Sequence, residues 1–180
     1  ATLSLLMDNT APTAPAFTAQ PNPPTVNRND LRTSLAWTWD AVAGADSFIV
    51  KVNGAEGARQ TGTTHTINSL SDGAYLVEVA AKDMTGNASA FTPAASVLVD
   101  RIAPTTPAFS VQPPAVVNDA DKRTSLQWTW TRTGAASDSF LVSLNGSLKT
   151  RQTGTSYSVT PVPDGTYQLE VVEMDLAGNP

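Results

Sequence analysis

Four aspartates stand out as residues whose spacing could do chemistry: Asp8, Asp83, Asp100 and Asp175. They form two matched pairs. Asp8 and Asp100 each close an alternating apolar run and lead into Ala-Pro-x-x-Pro, whereas Asp83 and Asp175 each open Asp-x-x-Gly-Asn. Carboxylates that converge with backbone carbonyls suit calcium, a hard cation taking about six to eight oxygens. The same residues serve equally as turn formers, their side chains accepting bonds from nearby backbone N–H groups. Both readings are open, since the chain has no Asp-x-Asp-x-Asp-Gly loop.

Other chemistries are harder to assemble. His65 is the sole histidine and lies in a Thr-rich segment; Tyr157 takes its place in the matching stretch downstream. Cysteine is absent, which removes thiol nucleophiles, disulfides and thiolate metal sites together. With no acid–histidine–serine set available twice, the chain reads as a non-enzyme. Four tryptophans invite sugar stacking, but Trp37 and Trp39 share a strand face with Leu35, as Trp128 and Trp130 do with Leu126. That pattern points them into a core.

Composition narrows the partners. A net charge of −5 gives no basic stripe for displacing counterions from phosphates, so nucleic acid is not expected. No apolar run approaches the ~18 residues of a membrane helix, so this segment is not expected to insert. At 41% hydrophobic the chain can bury a core.

The elements that must hold these residues occur twice, at a spacing of about 92 residues. Arg32-Thr33-Ser34-Leu35-Ala36-Trp37-Thr38-Trp39 returns as Arg123-Thr124-Ser125-Leu126-Gln127-Trp128-Thr129-Trp130. Arg59-Gln60-Thr61-Gly62-Thr63 returns unchanged as residues 151–155, and Asp72-Gly73-Ala74-Tyr75 as Asp164-Gly165-Thr166-Tyr167. Within a copy the apolar period is two, as in Phe48, Val50 and Val52. Asn53-Gly54, Asp72-Gly73 and Gly86-Asn87 mark turns between strands. The first copy is predicted to hold seven strands, near 16–20, 33–39, 47–53, 58–62, 64–68, 74–82 and 94–99. The expected class is all-β: two tandem seven-strand antiparallel sandwiches. The Arg-Gln-Thr-Gly-Thr segments are read as short edge strands.

Leu-x-Trp on the second strand, Phe-x-Val-x-Val on the third, and Leu70 or Val162 five residues before Tyr75 or Tyr167 resemble fibronectin type III domains. The resemblance implies a tyrosine corner at Tyr75 and Tyr167. The Asp-x-x-Ala-Pro-x-x-Pro seams also resemble immunoglobulin-like repeats of giant bacterial adhesins, which implies calcium at the joints. In such a sandwich the start of a domain and its sixth-to-seventh strand loop share a pole, expected to gather Asp8 with Asp83 and Asp100 with Asp175.

The domain reading follows from the seams. Residues 1–7 match the last strand of a preceding repeat, 8–99 form repeat 1, and 100–180 form repeat 2, which lacks its last strand in this chain. Two accounts of residues 1–7 are open: a window cut from a longer array, or a strand donated through Leu3, Leu5 and Met7 to a neighbour's open sandwich. Pro12, Pro15, Pro104 and Pro107 are expected to stiffen the seams. The favoured function is a structural extender of an extracellular, cell-surface or secreted adhesin or fibre. Its partners would be neighbouring repeats or copies of itself, or a host or matrix glycan or protein. The alternatives are a carbohydrate- or protein-binding sandwich, or a spacer in a secreted polysaccharide-degrading enzyme.

Overall fold

The structure, a computed structural model, describes residues 3, 5–121, 123–135 and 138–180. The chain divides into two compact units, residues 1–100 and 101–180.

Alternation in the sequence becomes strand geometry directly. In unit 1, β1 (Phe17–Ala19), β3 (Ser34–Trp39) and β6 (Thr64–Asn68) form one sheet, ordered β1-β3-β6. The second sheet runs β2-β8-β7-β4-β5, with β2 at Thr25–Val26, β4 at Ser47–Val52, β5 at Ala55–Glu56, β7 at Gly73–Lys82 and β8 at Ala95–Val99. Leu35, Trp37 and Trp39 meet Phe48, Val50, Val77, Val79, Val97 and Val99 between the sheets, and all are buried. The Trp39 and Phe48 rings pack edge to face with centroids 5.6 Å apart, the arrangement favoured by aromatic quadrupoles.

Unit 2 repeats the plan with fewer strands. Here β9 (Phe109–Val111), β10 (Leu126–Trp130) and β13 (Ser156–Val159) form one sheet. The other holds β11 (Ser139–Leu144), β12 (Ser147–Gln152) and β14 (Leu169–Met174), ordered β12-β11-β14. Trp130 and Phe140 repeat the edge-to-face pair at 5.5 Å. Each unit is thus an all-β sandwich, two sheets enclosing a core of its own. Among the described residues, unit 2 contains no counterpart of β2 or β8.

Two expectations about strands need correction. The segment 58–62 is no strand: unit 1 has β5 at Ala55–Glu56 instead, followed by an isolated Phe48–Gln60 bridge. Gly57 N–H still bonds Val50 O at 2.8 Å in the β4–β5 register, and the Phe48–Gln60 bridge lies one residue out of it. An eighth strand also appears, since β2 runs parallel to β8 and pairs Val26 with Val99.

Polar side chains fix the register at matched places. Asn53 and Asn145 adopt positive φ (both 50°) at the tip of their hairpins, which asparagine tolerates better than most residues. Asn53 then clamps the neighbouring strand, donating to the Ala74 carbonyl (3.0 Å) and accepting from Leu76 N–H (2.8 Å). Asn145 does the same with Thr166 (2.9 Å) and Gln168 (2.7 Å). The tyrosine corners are present: Tyr75 Oη lies 3.0 Å from both Ser71 N and Ser71 O, and Tyr167 donates to Pro163 O at 2.7 Å.

Candidate functional site

The carboxylates of the Asp-x-x-Gly-Asn turns act first on their own backbone. Asp83 Oδ1 accepts from Thr85 Oγ1 (2.9 Å), Gly86 N (2.7 Å) and Asn87 N (2.8 Å), and Oδ2 accepts from Asn87 Nδ2 (2.9 Å). Burial pushes the Asp83 carboxyl up, and these bonds outweigh it, so the group sits below the ordinary carboxylate range. Asp175 accepts from Asn179 N (2.8 Å) and Nδ2 (2.7 Å) in the same way.

The structure brings Asp8 and Asp83 to one pole of unit 1. Asn87 Nδ2, bonded to Asp83, also reaches the Asp8 carbonyl at 3.0 Å. Asp8 turns its own carboxylate to Thr10 N–H (3.0 Å). Asp100 closes unit 1, its N–H donating to Val26 O (2.9 Å), whereas Asp175 belongs to unit 2. Among the described residues no group of three or more His, Asp or Glu side chains has a metal-holding arrangement. Of the Asp83 oxygens, Oδ1 holds three turn donors and Oδ2 one.

Other sequence-picked residues have structural employment. Trp37, Trp39 and Trp130 are buried in the cores, and Trp128 is 7% exposed, where it lines a groove of unit 2. His65 sits on β6 opposite Trp37, half-buried, and desolvation lowers its pKa, favouring neutral imidazole. The twin Arg-Gln-Thr-Gly-Thr segments staple turns: Gln60 Nε2 donates to Gly62 O and Thr64 O, and Gln152 Nε2 to Gly154 O and Ser156 O. Arg59 and Arg151 each donate through Nε to the serine that begins the facing strand, Ser47 or Ser139, at 2.9 Å.

Leu3, Leu5 and Met7 lie outside the assigned strands and are exposed; the residues at 1, 2 and 4 fall outside the described set. Unit 2 carries a groove of about 830 Å³, lined among others by Val117, Arg123, Leu126, Trp128, Val162 and Tyr167. It lies where β8 and β2 cover the matching residues of unit 1. Val26 is 0% exposed, whereas Val117, its counterpart, is 37% exposed.

One charged site escaped sequence reading. Glu173 is fully buried in unit 2 at the position held by Ala81 in unit 1. Its Oε2 accepts from Thr133 N (2.9 Å) and lies 2.7 Å from Thr133 Oγ1, while Oε1 accepts from Gly134 N (3.1 Å). Arg132 stands 3.7 Å away, with its guanidinium over the Phe140 ring. Burial raises the Glu173 pKa, but the Thr133 and Gly134 bonds and the Arg132 charge prevail and hold it below the usual carboxylate range. Every oxygen is used internally, so the cluster ties the loop after β10 to β14. A signal existed: Ala41-Val42 in one copy becomes Arg132-Thr133 in the other, together with Ala81 becoming Glu173.

No protein-family model matches the chain, and no curated protein does. Among solved structures the chain is similar to fibronectin(III)-like modules of Clostridium thermocellum CbhA, at 15% identity and a TM-score of 0.49, covering 89% of this chain and 87% of that one. It is also similar to carbohydrate-binding modules of the β-sandwich superfamily, at 15% identity, TM-score 0.41, and coverage of 92% and 85%. A structure from a 1.5-MDa bacterial ice-binding adhesin aligns at 19% identity and TM-score 0.37, covering 95% of this chain and 62% of that one. These likenesses are distant, and the architecture rests on the sheets and corners themselves. No helix among the described residues is long and apolar enough to cross a membrane.

Proposed function

We propose that the chain is a load-bearing extender, a length of non-catalytic β-sandwich repeats in an extracellular adhesin or fibre. The observation that carries this reading is the parallel pairing of β2 with β8. Because the strands run parallel, tension entering through β2 and leaving through β8 pulls them along their axes in opposite directions. Their hydrogen bonds, Leu98 N–H to Pro24 O and Asp100 N–H to Val26 O (both 2.9 Å), are then sheared together rather than unzipped singly. Two separate cores and turn-engaged carboxylates support the same reading. Buried tryptophans disfavour the sugar-binding alternative.

Single-molecule pulling tests it. Two unfolding events are expected, each lengthening the chain by roughly 25–30 nm at ~3.5 Å per residue. The event at higher force should belong to unit 1, which alone has the sheared pair among the described residues. One event releasing the whole chain, or unit 1 yielding at the lower force, would overturn the reading.

A further inference from the structure

The edge of a β-sheet shows unpaired N–H and C=O groups, and proteins blunt it with charge, proline, bulges or short strands. Most edge strands of this chain are blunted in that way. Strand β2 is two residues long and follows Pro23-Pro24, and β5 is two residues long and ends in Glu56. Strands β1 and β9 have three residues each and lose register against their neighbours. Strand β12 carries Lys149 and Arg151, and β13 has Pro161 two residues beyond its end. Strand β6 has none of these devices. Its five residues, Thr64 to Asn68, pair with β3 in one unbroken register. Its one titratable side chain, His65, faces inward opposite Trp37, where desolvation favours the neutral form.

The register shows what this edge offers. Trp39 N–H donates to Thr63 O (3.0 Å) and Ser69 N–H to Thr33 O (3.1 Å), so His65 and Ile67 are the residues of β6 that exchange bonds with β3. Thr64, Thr66 and Asn68 turn their N–H and C=O groups the other way, to the free edge. Among the described residues one of these groups is engaged: Thr64 O accepts from Gln60 Nε2 at 2.9 Å. The outward groups are arranged symmetrically about Thr66, the middle residue of the strand. The whole sheet of β1, β3 and β6 contains no Asp, Glu, Lys or Arg, although the chain carries a net charge of −5. Two copies can therefore meet at this edge without like charges face to face.

We propose that β6 is a docking edge, and that its occupant is β6 of a second copy of the chain, antiparallel and centred on Thr66. Thr66 of each copy then donates to and accepts from Thr66 of the other, and each Thr64 N–H reaches the other copy's Asn68 O. Thr64 lies opposite Asn68 and His65 opposite Ile67, so the two three-stranded sheets join into one. Threonine pairs directly opposite each other add their own stabilisation. The extender reading runs load along a chain; this contact ties chains side by side and stands without that reading.

Single-cysteine, full-length chains test it, since the native chain has no cysteine. In a hydrogen-bonded antiparallel pair the Cα atoms lie about 5.5 Å apart, within disulfide range. Thr66→Cys, oxidised mildly with diamide, should therefore link to itself. Thr64→Cys should link to itself at least tenfold less, because its counterpart lies roughly 14 Å away at ~3.4 Å per residue. Mixing Thr64→Cys with Asn68→Cys should restore the link as a heterodimer. Sedimentation equilibrium of cysteine-free chains gives a second reading. Thr66→Lys places like charges opposite each other and should weaken self-association at least tenfold, whereas Thr66→Val should leave it little changed. All three positions are exposed, and circular dichroism of each variant confirms that it folds. Equal self-linking at 64 and 66, no heterodimer from the mixture, or no self-association of the native chain at high micromolar concentration would each overturn the proposal. So would a Thr66→Lys chain that associates as the native one does.

Discussion

Replacing Glu173 with alanine probes the buried charge of unit 2 most directly. The carboxylate accepts from Thr133 N–H and Gly134 N–H and faces Arg132 in a place closed to water. Removing it strands two buried amide donors, at about 1–3 kcal/mol each, and leaves a half-buried guanidinium without its carboxylate. Arg132 keeps its bonds to the Ala135, Asp138 and Thr153 carbonyls, which limits the loss. Breaking a buried ion pair from one side costs about 3–5 kcal/mol, and the expected loss lies in that range. Against a domain stability of about 5–15 kcal/mol, unit 2 becomes marginal.

Hydrogen exchange in urea, read separately on peptides from β4 and β11, reports the two units independently. With a urea slope near 1 kcal/mol per molar, the unit 2 midpoint should fall by about 3–5 M while unit 1 stays put. The pH dependence supplies a second reading. Because the folded-state pKa of Glu173 is depressed, its contribution is complete above the unfolded carboxyl value of 4.5 and disappears as pH drops through the folded value. Glu173→Ala should therefore flatten the acid limb of unit 2. A midpoint shift under about 1 M, or an acid limb unchanged by the substitution, would refute the reasoning.

Gly134→Ala should also destabilise unit 2, by about 1–3 kcal/mol in the same exchange assay, because the new Cβ collides with Asp138 Oδ2 and crowds Glu173 Oε1. Tyr75→Phe should cost unit 1 more than Tyr167→Phe costs unit 2, since Tyr75 Oη meets both N and O of Ser71 while Tyr167, among the described residues, bonds Pro163 O; about 1 kcal/mol per bond is expected by urea unfolding. Chelator should leave the melting temperature of unit 1 within about 1 °C, because turn donors occupy the Asp83 oxygens; a rise on adding millimolar calcium would show native-state binding instead.

Much of the fold was legible because tandem copies print the same pattern twice. Leu-x-Trp-x-Trp put three large side chains on one face of β3, and Asn-Gly named the hairpin tip, where the observed φ values explain the choice. Strand β2 escaped because two residues after consecutive prolines carry no periodicity, and its place depends on β8, more than 70 residues away. Segment 58–62 misled because the whole Arg-Gln-Thr-Gly-Thr run was read as an edge strand, whereas the Gln60 amide bonds the turn backbone and one bridge to Phe48 is left. The aspartate pole was half readable: the resemblance to a sandwich implied one pole for Asp8 and Asp83, where Asn87 Nδ2 bonds both, but not the four donors that Thr85, Gly86 and Asn87 bring to Asp83. Glu173 hid in a strand alternation that suits a solvent face as well as a core one, and only Arg132 and Thr133, forty residues back, decide which.

Glu173 also bears on how two look-alike halves fold side by side without trading parts. A β14 that strayed into the first sandwich in place of β7 would carry a carboxylate to the site of Ala81, beside Val42 and Ala45, with alanine where Arg132 should stand. The reverse exchange would leave Arg132, Thr133 and Gly134 offering bonds to a methyl group. One ionised side chain thus labels each strand with its address, and mistaken exchange between near-twins is penalised at once.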